Sequence, residues 1–181
     1  MDDRFSTEIT SLQRLKVLLD KDTTLPIRFE LERMSLDFRR FRLAFRGIQS
    51  IVKNPSLGSD ATASVFTVEV QVSSGYPWSQ IPQIKFLPPV PFHPHVWSDG
   101  RICWGTNNEA MPDLSLADWT RGVIEYLLYN QDGGSLLRIN PDSPANREAL
   151  AWYQRNRGRI TTYVPSQDLG RLRTWIDRCR G

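Results

Sequence analysis

The stretch FHPHVWSDGRICWG, residues 92–105, gathers the side chains most able to do chemistry. Both histidines of the chain, His93 and His95, precede Cys103 by ten and eight residues, and Cys103 is one of only two cysteines. As a metal centre, this trio supplies three zinc ligands, but no CxxC pair or second histidine pair completes the set. As a thiol-hydrolase site, Cys103 would be the nucleophile and either histidine its general base. Asp99-Gly100 is a tight-turn signal, so the distance from base to sulfur is open at the level of sequence. A buried cysteine beside a turn accounts for the same residues equally well.

The elements that must position these residues follow from hydrophobic spacing. Ile9, Leu12, Leu15 and Leu19 recur at three- and four-residue intervals and predict a helix over 7–20, with Ser6 or Thr7 as N-cap. Over 28–49 the period changes. Phe41, Leu43 and Phe45 alternate with Arg40, Arg42 and Arg46, as in a half-buried strand. VFTVEVQV at 65–72 alternates likewise, and a short strand is expected at 83–87, so an antiparallel meander of about four strands follows the first helix. Leu116, Trp119, Val123, Ile124, Leu127 and Leu128 predict an amphipathic helix after Cys103, with further helices at 144–157 and 166–179. Helix, strands, then helices is an α+β order.

A chain of 181 residues suits one domain, here 1–181, with a proper core. No apolar run approaches the roughly 20 residues that span a bilayer, and the acidic start MDDRFSTEIT lacks a secretory apolar block. Together these point to a cytoplasmic protein without a membrane partner. Two cysteines make no disulfide framework, so Cys103 and Cys179 read as free thiols. The net charge of +3 is carried mostly by arginine, because Lys16, Lys21, Lys53 and Lys85 are the only lysines. That balance, with no aromatic stacking pattern, argues against nucleic acid as a partner.

The wider context resembles the ubiquitin-conjugating enzyme family. That family carries a Tyr-Pro turn, a His-Pro-Asn tripeptide, an active cysteine eight residues after the asparagine, a Pro-x-Leu helix start and an Asn-Pro turn. Tyr76, Pro77, Pro82, His93, Pro94, Gly100, Ile102, Cys103, Pro112, Leu114, Asn140, Pro141 and Pro144 fall in matching order, strongest over 28–157, with His95 at the asparagine position.

The resemblance implies the family fold: a helix, a four-stranded antiparallel sheet and C-terminal helices. It also implies an acyl carrier without a cofactor. Cys103 would accept the carboxyl terminus of a ubiquitin-like modifier protein from an activating enzyme and pass it to an amine on a target protein, with or without a ligase. His93 and Pro94 would shape the loop. His95 would either donate a hydrogen bond to the oxyanion or brace the loop, and the first role makes transfer pH-dependent at about pH 6 to 7. Ser143 takes the gating position, with Asp142 or Asp132 supplying charge nearby. Trp78 and Pro82 mark the turn that meets activating enzymes or ligases. Arg40 and Arg42 would lie on the sheet face where some members bind a second ubiquitin; a solvated basic face is the plainer reading. A non-catalytic interaction module and a Cys-dependent hydrolase are the alternatives. The loop departures and the arginine bias resemble bacterial homologues from conjugation operons linked to antiviral defence.

Overall fold

A computed structural model describes residues 3–58, 61–76, 80–104, 114–130 and 139–179; the side chains of residues 3, 4 and 179 are outside the description. Helix α1 (Asp3–Lys21) buries Phe5, Ile9, Leu12, Leu15 and Leu19 along one side. It opens before the predicted start, and the i, i+3, i+4 spacing sets the buried face as expected.

The alternating stretch at 28–49 is divided between two strands, β1 (Arg28–Arg33) and β2 (Arg40–Ile51). Between them, the Asp37 carboxylate accepts from Ser35 Oγ and the Arg39 N–H, which replaces strand pairing with a local turn. β3 (Thr62–Gln71) and β4 (Gln83–Leu87) complete an antiparallel sheet in the order β1-β2-β3-β4. Phe41, Leu43 and Phe45 of β2 stand opposite Val70, Val68 and Phe66 of β3, all buried on the helical side. Gly47 sits in the register shift of β2 at φ +76, where a Cβ would lie 2.0 Å from the Pro26 carbonyl oxygen. Only glycine fits that approach.

After the site segment come α2 (Leu116–Leu127), α3 (Arg147–Asn156), the one-turn α4 (Ile160–Tyr163) and α5 (Gly170–Cys179). The amphipathic reading of α2 needs correction. Every residue of this helix is buried, including Asp118, Thr120, Arg121 and Glu125. Its polar residues survive burial because each has a partner. Asp118 and Ser115 close a capping box, the Thr120 hydroxyl donates to the Leu116 carbonyl, and Glu125 lies 3.5 Å from Arg121 and 3.6 Å from Arg173 of α5. The helix is enclosed by β2, α1, α5 and the segment carrying Cys103, so no side is left for water. α3 begins later than predicted, at 147, because Asn146 caps it by accepting from the Ala149 N–H. Among the described residues no helix is long and apolar enough to cross a membrane.

Candidate active site

Asp99-Gly100 does make the turn its residues imply. The Gly100 N–H donates to the Trp97 carbonyl, and the Trp97 N–H to the Arg101 carbonyl, so residues 96–102 double back as a small hairpin in which Val96 and Ile102 pair. Gly100 adopts φ +90 with a Cβ position 2.1 Å from the Phe86 carbonyl oxygen, and its own carbonyl accepts from the Phe86 N–H. The turn is therefore pressed onto β4, and a side chain there would collide with backbone.

Cys103 follows on the returning arm, partly exposed. Its main chain is held from both sides. The Cys103 N–H donates to the His95 carbonyl at 2.8 Å, and its carbonyl accepts from Tyr126 Oη at 3.0 Å. Burial, with Cys103 and Glu125 as further causes, raises the Tyr126 phenol well above its ordinary range. At neutral pH that phenol is a fixed donor and no base. Tyr126 in turn stacks on Trp104, with centroids 5.7 Å apart, and Trp104 meets Trp119 edge-on at 4.8 Å. The Cys103 backbone is thus tied to an aromatic floor of Trp104, Trp119 and Tyr126, the last two from α2.

Both histidines are fully buried. His93 Nδ1 accepts from the His95 N–H at 3.1 Å, and its ring lies between Tyr126 and Tyr129. His95 Nε2 accepts from the Asn140 N–H at 2.8 Å. A ring nitrogen that accepts must be unprotonated, so each neutral imidazole carries its proton on the other nitrogen. Burial lowers both pKa values: that of His93 well below 6.5, with His95 as a second cause, and that of His95 by burial alone. Among the described residues no hydrogen bond joins either ring to the Cys103 sulfur, and no group of three or more His, Cys, Asp or Glu is placed to hold a metal.

The Pro94 carbonyl extends this hub by accepting from the Ala145 and Asn146 N–H groups at 2.8 and 3.0 Å. The turn at 139–146 and the start of α3 are therefore fastened to the tripeptide at two of its three residues. Such a loop-on-hairpin arrangement can present one thiol at a fixed place, between a buried floor and an exposed rim.

The sequence pattern described as ubiquitin-conjugating enzyme matches residues 50–167, well over half of the chain. The chain belongs to the ubiquitin-conjugating enzyme family. Solved structures agree on the fold. One described as a novel ubiquitin-conjugating enzyme is 19% identical, with a TM-score of 0.53 over 85% of this chain and 89% of its own. A candidate ubiquitin-conjugating enzyme from Plasmodium yoelii is 18% identical, with a TM-score of 0.52 over 94% of each chain. At these identities the likeness carries the fold, namely the N-terminal helix, four-stranded antiparallel sheet and C-terminal helices described above.

Within this ubiquitin-conjugating fold the residues singled out by sequence fall into three groups. Cys103, His93 and His95 converge in one hub. Asp142 and Ser143 are exposed on the turn that Pro94 fastens. Arg40 and Arg42 lie apart from the thiol on the outer sheet face, 3.2 and 3.5 Å from Glu69, so that face is not a bare basic stripe. Pro82 is buried, while Trp78, Pro77, Pro112 and Asp132 lie outside the described residues, as does the Cys179 side chain. Tyr126 is the functional residue that sequence reasoning missed. Its place beside Ile124 and Leu127 made it look like ordinary core, and no local signal tells a buried tyrosine with a backbone acceptor from one without.

Proposed function

We propose that this member of the ubiquitin-conjugating family is an active acyl carrier with Cys103 as its thioester nucleophile. The observation that carries the reading is the state of Cys103: a partly exposed residue on a backbone fixed at both N–H and carbonyl. A carrier needs a reachable thiol at a constant position and needs no attached base, because its acyl group arrives activated. The Cys103 thiolate attacks the thioester carbonyl held by an activating enzyme, a C–S bond forms, and the activating enzyme's thiolate departs. The target amine then attacks that carbonyl, the C–S bond to Cys103 breaks, an amide forms, and the amine's proton passes to solvent.

His95 contributes in this reading by holding the 139–146 turn through Nε2, with its Nδ1–H left without a hydrogen-bond partner among the described residues and available to a developing oxyanion. His93 braces the hub. Asp142 and Ser143, on the fastened turn, meet the incoming amine; Trp78 and Pro82 shape the enzyme- or ligase-facing turn; Arg40 and Arg42 border the sheet face. Partners are a ubiquitin-like modifier, an activating enzyme, a target and, where required, a ligase. A free thiol in service fits the reducing cytoplasm. The bacterial, defence-linked placement rests on the loop departures and arginine bias alone.

The test is direct. Wild-type protein incubated with ATP, a cognate activating enzyme and the modifier is expected to form an adduct that a reducing thiol removes, and Cys103→Ala is expected to form none. A wild type that stays unloaded, or an adduct that survives in Cys103→Ala, would end the carrier reading.

A further inference from the structure

The turn joining β1 to β2 holds an aliphatic side chain in water. Leu36 is 89% exposed and Met34 38%, the former the most exposed large hydrophobic side chain among the described residues. Single exposed leucines are common on protein surfaces and by themselves mean little. What distinguishes this one is how firmly its loop is set. The Met34 and Ser35 N–H groups donate to the Arg40 carbonyl, and the Phe38 N–H donates to the Ser35 carbonyl. Ser35 Oγ donates to the Asp37 carboxylate and accepts from the Arg40 N–H, while the same carboxylate accepts from the Arg39 N–H. Phe38 takes φ +61, a region that strains a bulky residue, and its ring packs on Phe41 with centroids 6.2 Å apart. Phe38 fills the inward space, and the bonded loop leaves Leu36 facing solvent.

Cations flank this tip where the strands end and begin. Arg33 and Arg39 have no ion pair among the described residues. Arg33 Nε donates to the Ser35 carbonyl, and its guanidinium lies 5.4 Å from the Phe38 ring centre. Arg39 Nη1 donates to the Ser73 carbonyl, over the Phe5 ring. Arg40 is shared with Glu69 at 3.2 Å, and Glu32 lies 3.9 Å from Arg42. The one carboxylate of the loop, Asp37, is engaged by Ser35 and by the Arg39 N–H. The tip is a hairpin end, hence a protrusion and not a cleft. A leucine at the apex with arginines set back on the strand ends matches the depth profile of a bilayer surface, apolar inside and phosphate-bearing outside.

We propose that the β1–β2 turn is a membrane-contacting tip that docks this chain peripherally on an anionic bilayer. Leu36 and Met34 enter the boundary between headgroups and acyl chains, and Arg33, Arg39 and Arg40 reach lipid phosphates. The rigid loop favours such a contact, because little entropy remains to be lost on docking. The contact is weak and reversible, since one leucine removes little apolar area from water. The expectation of a chain without a membrane partner rested on spanning segments and signals, and a surface contact needs neither. The tip makes no use of Cys103, so this inference stands or falls apart from the carrier reading.

The experiment sediments the full chain with sucrose-loaded vesicles of phosphatidylcholine alone or with about one third phosphatidylserine, at low and high salt. Wild type is expected to pellet with the anionic vesicles and to be released as salt rises. Leu36→Ser is expected to lower the partition coefficient roughly tenfold, and Arg33→Gln roughly fivefold at low salt. Leu57→Ser is expected to leave it unchanged, because this leucine is 79% exposed but has no arginine nearer in sequence than Arg46. All three positions are exposed, so each variant is expected to keep the wild-type melting temperature. Binding that follows salt but ignores Leu36→Ser overturns the inference, because diffuse basic charge would account for it. So does a wild type that stays in the supernatant with both vesicles, which assigns the tip to a partner protein with a matching apolar pocket. A second measurement locates the contact. On addition of anionic nanodiscs the Ser35, Leu36 and Asp37 amide resonances are expected to broaden more than that of Leu57; equal broadening rejects the tip.

Discussion

The two sides of the Cys103 segment are built on opposite principles. Beneath it lie Tyr126, Trp104, Trp119, His93 and His95, all buried, and the polar contacts made there run from side chain to backbone. Above it a row of charges, Glu32, Arg42, Glu69, Lys85 and Arg101, runs in cross-strand register over the outer sheet face, at least partly exposed throughout, and ion pairs join the first three. The difference follows from solvent. Buried groups are held by atoms that do not move away, and the bonds made here by His93, His95 and Tyr126 are to backbone; an exposed ion pair is screened and costs side-chain entropy, so it adds little stability. The floor fixes position, and the rim stays open to solvent.

That contrast can be broken from either side, and the largest effect should come from the floor. Trp119→Ala removes a fully buried indole that meets Trp104 and is expected to destabilise the fold by about 3–5 kcal/mol in denaturant unfolding. A loss below about 1 kcal/mol would mean that the aromatic floor is not part of the core. Gly100→Ala should follow at about 1–3 kcal/mol, since its Cβ would lie 2.1 Å from the Phe86 carbonyl oxygen at φ +90. The hairpin would have to lift from β4, and the Phe86 and Gly100 amides should lose hydrogen-exchange protection.

The histidines give a smaller effect with a defined sign. Their folded pKa values lie below the ordinary 6.5, so the unfolded chain binds protons first as pH falls. Their stability contribution is present above about 6.5 and is lost at lower pH, at up to about 1.4 kcal/mol per pH unit for each ring. His95→Asn should flatten part of that slope in thermal melts between pH 7 and about 5, as should His93→Gln. A slope unchanged in both variants would show that neither ring is held neutral by the fold. The same burial moves any His95-dependent inflection of transfer below the range of about 6 to 7 that an exposed ring would give. The smallest effect belongs to the rim: Arg42→Ala, facing Glu32 and Glu69 at the partly exposed surface, should change unfolding free energy by less than about 0.5 kcal/mol.

Some of this was legible in the residues alone. The spacing of Ile9, Leu12, Leu15 and Leu19 fixed the buried side of α1, and the short strand expected at 83–87 is β4. Asp99-Gly100 announced its turn because the φ that Gly100 adopts is open to few other residues. The division of 28–49 into two strands was less legible, since the alternation of Phe and Arg continues past the point where Asp37 turns the chain. α2 misled for a different reason. A helix with Asp118, Arg121 and Glu125 on one side reads as half exposed, and only the packing of α1, α5 and the Cys103 segment encloses that side, with Arg173 of α5 beside Glu125.

The sequence by itself determined the element order, the turn that presents Cys103, and the family pattern spread over residues 50–167. These depend on local propensity and periodicity, which act over a few residues. Only the tertiary structure decided the state of His95 and the end of the charge row. The proton on His95 is placed by the N–H of Asn140, 45 residues away in the chain. Lys85 meets Arg101 only because the hairpin folds back along β4. Protonation and charge pairing are set by whatever lies within a few ångströms in space, and no spacing along the chain encodes that neighbour.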